Sequence, residues 1–370
     1  MTSRRLFLSA AALSAMPAQL VFAQASRASA PDDPRFVFVL LRGRELGAAP
    51  LALPGTPFAL HPNLASLHAM YQQGELAVVH ATGLAYRERS HFDAQQVLES
   101  GGTRPYELST GWLGRALAAQ GIAPRFSGLA LTTAVPLVLR GSERVDTWAP
   151  SALPEPSPDL VARLELLYAG DAGLREALAR AKVLREQPGM AAAAGNVQGR
   201  QAVLALARKA GEMLAASPGP RIAVLELGGW DTHANQANPN GALANNLRTL
   251  DAGLAALRDA LGAAWGRSVV LVATEFGREV AINGTMGTDH GSGGAAFVAG
   301  GAVAGGRVIT DWPGLARANR FEGRDLRVTT DLRALMKGVL ADHLKIAHAS
   351  IERSVLPGSG DVRPIAVLRA

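Results

Sequence analysis

The sequence predicts an α/β fold in which a mostly parallel β-sheet lies between layers of helices, and three features indicate this. Continuous apolar runs at residues 36–41 and 269–273 contain β-branched residues and are followed by polar turns, as expected of buried strands. A helical pattern separates two strand patterns within residues 62–80, which is a β–α–β step. Polar clusters follow directly after strand ends, where open α/β sheets bind ligands.

The other elements follow from the same patterns. Helices are predicted at residues 62–73, 91–100, 111–120, 241–265 and 330–344, and strands at residues 76–80, 221–227, 295–299 and 307–309. Residues 127–139 are predicted to give two short strands, and the proline-rich residues 149–158 a surface linker. Residues 159–217, with a break near residues 187–189, indicate an inserted helical region within a single domain at residues 31–370.

Residues 1–30 have the features of a twin-arginine export signal and its leader. Arg4 and Arg5 precede an apolar, alanine-rich stretch, and small residues follow, so cleavage is expected between Ala23 and Ala30. A membrane-spanning helix needs about 20 apolar residues, so we predict no stable membrane anchor. We therefore expect a periplasmic or secreted protein whose export partner is the twin-arginine machinery. That route carries folded proteins, which suits a chain that acquires a metal first.

The composition restricts the chemistry. The chain has 37 basic and 31 acidic residues, a formal charge of +6, and removal of Arg4, Arg5 and Arg27 leaves 34 basic residues and a charge of +3. The arginines are spread along the chain and aromatic residues make up 5%, so no nucleic-acid partner is predicted. The absence of cysteine excludes disulfides, thiolate metal sites and iron–sulfur clusters. Any metal must be held by His, Asp, Glu or hydroxyl groups.

Two polar loops are candidate metal sites. Asp231 and His233 are two residues apart in a glycine-led loop, where their side chains point the same way and can bind one ion. The alternative is a carboxylate that caps the next helix beside a surface histidine. Asp289 and His290 lie among the glycines of residues 287–294, which let a ligand approach the backbone. The alternative there is a flexible loop whose polar groups face water.

Glu275 and Arg278 follow the predicted strand at residues 268–273. A carboxylate at that position can complete a metal shell or act as a base, and Arg278 can neutralise an anionic ester. The alternative is a local salt bridge between these two residues.

Ser90 is predicted at a helix N-terminus, where free N–H groups favour an anion. Its hydroxyl is a candidate nucleophile, and capping of the helix is the alternative. The lone histidines are predicted to be structural, namely His61, His68, His80, His343 and His348.

Several motifs together resemble one family. They lie at residues 41–43, 76–81, 89–95, 229–233, 273–278, 287–291, 311–315 and 331–333, and include Arg-Ser-His-Phe-Asp-Ala-Gln and Gly-Trp-Asp-Thr-His. With the export signal, they resemble the exported bacterial domain of unknown function numbered 1501 over nearly the whole chain. That family is similar to the alkaline phosphatase and sulfatase superfamily, which implies an alkaline-phosphatase-like sheet with Asp and His metal ligands at strand ends.

The resemblance implies a metal-dependent hydrolase of phosphate or sulfate esters. In that superfamily a Ser, Thr or modified Cys attacks phosphorus or sulfur while one or two divalent ions polarise the ester. The substrate would be a small anionic ester, and the ion Zn²⁺ or a similar divalent metal. By position, the resemblance implies Ser90 as nucleophile and, as ligands, Asp231, His233 and His290, with Glu275 and Asp289 as further candidates.

Two departures from that pattern favour a second interpretation. Relatives carry an Asp in a loop after the first strand, whereas residues 42–47 are shortened and offer Glu45. Residues 275–276 are Glu-Phe where the superfamily has an Asp-His pair, which favours fewer than two metals. The alternative to an enzyme is therefore a non-catalytic periplasmic binding or assembly protein on the same fold, with a degraded metal site.

Overall fold

A computed structural model describes most of the chain. The described residues are 34–43, 50–119, 127–142, 144–150, 156–175, 178–179, 199–217 and 219–369. The predicted export signal, Glu45 and the predicted helix break at residues 187–189 lie outside these ranges. Within the ranges, every helix is too short or too polar to cross a bilayer.

One mixed sheet organises the described residues. Its strands are β1 (Arg35–Gly43), β4 (Leu76–Gly83), β5 (Gly128–Ala130), β6 (Val145–Thr147), β7 (Ile222–Trp230), β8 (Ser268–Thr274), β9 (Gly294–Ala299), β10 (Arg307–Ile309) and β11 (Thr330–Asp331). They lie in the order β10, β4, β9, β8, β1, β7, β5 and β6, and β11 pairs with β4. Two further strands, β2 (Leu51–Ala52) and β3 (Ala59–Leu60), form a separate hairpin.

The direction of one strand determines where the loops meet. Among the described pairings of this sheet, those of β9 with β4 and β8 are antiparallel and the others are parallel. The carboxyl ends of the parallel strands share one edge, and β9 begins at that edge because it runs the opposite way. The loops that leave β4, β7 and β8 and the loop that enters β9 therefore lie together.

Both faces of the sheet are covered, because successive strand residues point to opposite faces. Phe36 and Phe38 belong to one core and Val37 to the other, and all three are fully buried. This two-sided burial explains the continuous apolar run at residues 36–41. The predicted fold class, a mostly parallel sheet between helices, is confirmed.

The helices divide between the two faces. They are α1 (Ala65–Gln72), α2 (His91–Ser100), α3 (Trp112–Ala118), α4 (Pro158–Tyr168), α5 (Gly199–Ala215), α6 (Ala242–Leu261), α7 (Leu332–Gly338) and α8 (His348–Ser350). Apolar residues of α2, α3 and α7 pack in the core that contains Phe36, and those of α1, α5 and α6 pack in the core that contains Val37. In α4, Leu164 and Tyr168 form a small separate cluster with Leu178.

The prediction of two strands at residues 127–139 is only half right. β5 forms as expected, but Leu137–Leu139 is a 3-10 turn. Val138 and Leu139 are fully buried, and a Cβ on Gly111 or Gly114 at the start of α3 would overlap the backbone of this turn. The turn therefore packs against α3, and the strand that pairs with β5 on this side is β6.

Two predicted helices end earlier than expected. The helix predicted at residues 241–265 stops at Leu261, because Gly262 has a positive φ of 51°, and the chain continues as the 3-10 turn Gly262–Arg267. The segment predicted as one helix at residues 330–344 starts with the short strand β11. It then forms α7 and ends in the π-turn Val339–His343.

His343 is buried in this π-turn. It is 5% exposed, and its Nε2 donates a hydrogen bond to the main-chain oxygen of Arg35 at 2.6 Å. Burial lowers the pKa of His343 from 6.5 to about 4. The fold therefore requires the neutral imidazole, which agrees with the structural role predicted for this histidine.

We expect the buried imidazole of His343 to make the protein less stable in acid. Between its pKa of 6.5 in the unfolded chain and of about 4 in the folded chain, the unfolded chain binds the extra proton. The stabilisation is thus complete above pH 6.5 and is lost as the pH falls through 4. When the pH is lowered from about 7.5 to about 4.5, the free energy of unfolding measured in urea should fall by about 2–3 kcal/mol more for wild type than for His343→Gln. Equal losses would contradict this expectation.

Candidate active site

Four segments bring polar side chains to the edge where β4, β7 and β8 end and β9 begins. His91 starts α2 after β4, Asp231 directly follows β7, Glu275 directly follows β8, and His290 precedes β9. The antiparallel direction of β9 returns His290 to the edge from which Glu275 departs. Residues far apart in the chain therefore become neighbours.

His91, Asp231 and His290 form a cluster with the spacing of a metal site. One ligand atom from each residue lies within 4.8 Å of the other two. His91 Nε2 is 3.1 Å from Asp231 Oδ2, and His290 Nε2 is 3.2 Å from Asp231 Oδ1. Ligands bound about 2.0–2.1 Å from a tetrahedral Zn²⁺ lie about 3.3 Å from each other. The donor set and its spacing therefore fit such an ion.

The other ring nitrogen of each histidine already has a partner. His91 Nδ1 donates to Glu275 Oε1 at 2.7 Å, and His290 Nδ1 donates to the main-chain oxygen of Arg89 at 2.9 Å. These contacts assign the tautomer in which Nε2 carries the lone pair. His91 Nε2 is buried and lies 3.1 Å from Asp231 Oδ2. A buried, unused lone pair suits a metal ligand.

The charges of the cluster also favour a cation. Burial by itself raises the pKa of Asp231, but the hydrogen bond and charge of Arg278, together with His91, outweigh it and lower this pKa to about 2. The hydrogen bond to Glu275 raises the pKa of His91, and burial opposes this increase. Burial lowers the pKa of His290, which favours its neutral ring. Asp231 is therefore an ionised ligand across the physiological pH range.

Arg278 pairs with Asp231 and not with Glu275. Its fully buried guanidinium forms an ion pair with Asp231 and binds Thr288 through the threonine main-chain oxygen and, at 3.2 Å from Nε, through its hydroxyl. Glu275 instead accepts hydrogen bonds from His91 and, at 3.1 Å, from the hydroxyl of Thr274. The alternative of a local Glu275–Arg278 salt bridge is therefore not observed, since each side chain binds a different partner.

His233 and Asp289 lie on the exposed side of the cluster. His233 Nε2 is 2.9 Å from Asp231 Oδ1 and 3.1 Å from His290 Nε2, while its Nδ1 is 3.1 Å from Asp289 Oδ1. Asn283 donates to the same oxygen of Asp289 at 3.0 Å. Asp289 is thus placed to orient the ring of His233, and His233 is placed to be a further ligand.

Ser90 occupies the N-cap of α2, immediately before His91. Its backbone is extended, but its side chain makes no capping hydrogen bond, so the capping interpretation finds no support. The free N–H groups in the first turn of α2 are at the same end of the helix, where an anion is favoured.

Two glycines of residues 287–294 lie where protein segments cross closely. A Cβ on Gly287 would overlap the backbone of His233, and a Cβ on Gly291 would overlap the backbone of Arg278. Arg278 and His290 form an antiparallel bridge at this crossing. These two glycines therefore allow protein segments to meet, and the approach of a ligand to this loop stays a prediction.

Of the predicted residues, Arg278, His233 and His290 contact Asp231 directly. Asp289 joins them through His233 and Glu275 through His91, and the group of three contains His91, which was not predicted. Sequence reasoning did not single out His91 as a ligand, because Ser90 and Asp93 around it are typical of a helix start. A signal was present, since an imidazole that follows a strand-end loop is placed like His233. Glu275 contacts His91 and not the converging ligand atoms.

Comparisons with known proteins extend these observations. The family model described as Protein of unknown function (DUF1501) matches residues 49–355, and no curated protein matches the chain. Among solved structures, the chain is similar to the C-terminal periplasmic domain of EcEptC from Escherichia coli in complex with Zn, with 12% identity over 92% of this chain and 91% of that one and a TM-score of 0.46. It is also similar to BT1596, a 2-O GAG sulfatase, with 11% identity, coverage of 85% and 71% and a TM-score of 0.45. For the phosphonate monoester hydrolase of Agrobacterium radiobacter the identity is 12%, the coverage 85% and 74% and the TM-score 0.40. With TM-scores below 0.5, these similarities carry no argument about activity.

Proposed function

Since the chain belongs to the family described as Protein of unknown function (DUF1501), in agreement with its motifs, we propose a function from the site itself. We infer a metal-dependent hydrolase of phosphate or sulfate esters that acts outside the cytoplasmic membrane. The observation that carries this proposal is the convergence of His91, Asp231 and His290, with two Nε2 lone pairs beside an ionised carboxylate. Such a donor set binds Zn²⁺ with a position left open for substrate.

The surrounding residues support the three ligands. Glu275 and Asp289 each hold the Nδ1 of the histidine that they contact, which fixes the ring and increases its basicity. Arg278 keeps Asp231 ionised and in place. His233 lies on the exposed side of the three ligands, with its Nε2 2.9 Å from Asp231 Oδ1. An ion held by these residues would polarise the ester and stabilise the negative charge that develops on its oxygens.

Ser90 is the nucleophile in this proposal. Its oxygen forms a bond to phosphorus or sulfur while the bond to the alcohol oxygen breaks, and the proton lost by Ser90 passes through water to the leaving alcohol. Water then cleaves the serine ester, which releases phosphate or sulfate and restores the hydroxyl. The first turn of α2 favours the anionic group at this position through its free N–H groups.

Metal content is the first test of this function. Purified without chelator, the exported protein should contain about one divalent ion per chain by plasma mass spectrometry. His91→Ala and Asp231→Ala should each lose it, because each removes a ligand. His348→Ala changes an exposed histidine outside the cluster and should keep the ion. The loaded protein is then assayed with phosphate and sulfate monoesters.

The outcomes separate the two functions. Metal that survives both His91→Ala and Asp231→Ala would contradict this site. A wild-type protein that is folded but contains no metal, or contains metal and cleaves neither class of ester, would favour the non-catalytic binding or assembly protein.

A further inference from the structure

The main chain of Arg89 has a conformation that is uncommon outside glycine. Its φ is 61°, in the left-handed region, which costs roughly 1–2 kcal/mol for an ordinary residue. Its carbonyl oxygen accepts the hydrogen bond from His290 Nδ1. The side chain of Arg89 is held at the same time, because Nε donates to Asp325 Oδ2 at 2.8 Å and the guanidinium pairs with Glu322. These ion pairs maintain a backbone geometry that orients the His290 ring.

Asp325 connects this contact to a second one on His290. The Asp325 side chain is fully buried and accepts hydrogen bonds from Arg89, from the Ser292 hydroxyl at 3.0 Å and from Arg324 Nη1 at 3.0 Å. Arg324 Nη2 in turn donates to the main-chain oxygen of His290 at 2.8 Å. One carboxylate thus holds the two arginines that bind the ring and the backbone of His290.

The segment that carries Asp325 is attached to β4 at both ends. Trp312 packs edge-to-face on His80 of β4, with ring centroids 4.7 Å apart. At the other end, the main-chain N–H of Thr329 donates to the oxygen of Ala81 at 2.9 Å. Because β4 also leads into α2, Asp325 is positioned by the same strand that positions His91.

We propose that Asp325 is a positioning residue for the cluster: through Arg89 and Arg324, it fixes the His290 ring so that Nε2 faces Asp231. The consequence for catalysis rests on the proposed metal-dependent function. The orientation of the His290 ring is independent of that function, because it can be measured in metal-free protein. Loss of a partner that orients a ligand typically weakens metal binding about 10- to 100-fold.

Asp325→Asn keeps the shape of the side chain and removes the charge that holds both arginines. The Kd for Zn²⁺, measured by competition with a chromophoric chelator, should rise about 10- to 100-fold. In the metal-free protein, ¹⁵N NMR of the imidazoles should show one tautomer for His290 in wild type and exchange between tautomers in the variant. Lys337→Met is the matched control, because it removes another buried charge, paired with Glu352 at 2.6 Å, and should leave both measurements unchanged.

A second variant covers the case in which Asp325→Asn does not fold. Arg89→Lys keeps the positive charge but lacks the forked guanidinium that reaches Asp325 and Glu322 together, so it should change both measurements in the same direction. An unchanged His290 tautomer in a folded variant would overturn the inference. If wild type binds no Zn²⁺, the proposed function fails, and the tautomer still decides the role of Asp325.

Discussion

Replacement of Ser90 by alanine is expected to lower kcat for a phosphate or sulfate ester by a factor on the order of 10⁴ or more, with the metal content unchanged. The reason is that Ser90 supplies the attacking oxygen and is not a ligand in the cluster of three. Its hydroxyl does not cap α2, so its loss should have little effect on the helix. The measurements are steady-state kinetics of the metal-loaded variant and its metal content.

Ser157→Ala is the matched control for that experiment. Ser157 does cap its helix, because its hydroxyl accepts a hydrogen bond from the Leu160 N–H at 3.2 Å. Its replacement should lower the free energy of unfolding by about 1 kcal/mol and leave kcat unchanged. If Ser90→Ala behaves in the same way, Ser90 is a cap and another group attacks the ester.

A methyl group at Gly277 is expected to lower the free energy of unfolding by about 3 kcal/mol and to remove the metal. The N–H of Gly277 donates to the oxygen of Ser292 at 2.9 Å, and a Cβ at this position would overlap the backbone of Gly293. No flexible side chain can move to relieve that overlap, so the two segments must separate. They carry Arg278 and His290, and the cluster is disrupted with them.

Gly284→Ala provides the comparison within the same loop. A Cβ on Gly284 would meet nothing within 4 Å, so the change in the free energy of unfolding should stay within about 0.5 kcal/mol. Urea unfolding and metal analysis of both variants measure the effect. Equal stability of Gly277→Ala and Gly284→Ala would show that the crossing of the two segments tolerates a side chain.

The longer strands could be predicted from the sequence, whereas the short strands β2, β3, β6 and β11 and the direction of β9 could not. The runs at residues 36–41 and 269–273 are apolar on both faces because helices cover both faces of the sheet. The apolar pattern of β9 is the same for either direction, since alternation of side chains does not depend on it. Its direction follows from the connection to β8 and from its neighbours, which are properties of the whole sheet.

The site, too, has residues that could be predicted from the sequence and contacts that could not. Asp231, Glu275 and His290 could be identified because each lies next to a strand end, where the chain order alone places polar side chains at one edge. Their partners could not be identified, since the pairing of Arg278 with Asp231 and of Glu275 with His91 depends on which loops face each other. No single segment of sequence encodes such contacts.

The return of β9 beside β8 makes residues 275–293 a closed excursion from the sheet. Changes in its length or composition would alter the surroundings of His290 without changing any strand pairing, so this is a place where evolution can modify specificity and keep the fold. The excursion is not uniformly free to vary. Gly284, at its exposed tip, has open space for a side chain, while a Cβ on Gly277 or Gly291 would overlap the backbone where the excursion crosses itself. Amino-acid differences among related chains are therefore expected at the tip and should be rare at the crossing.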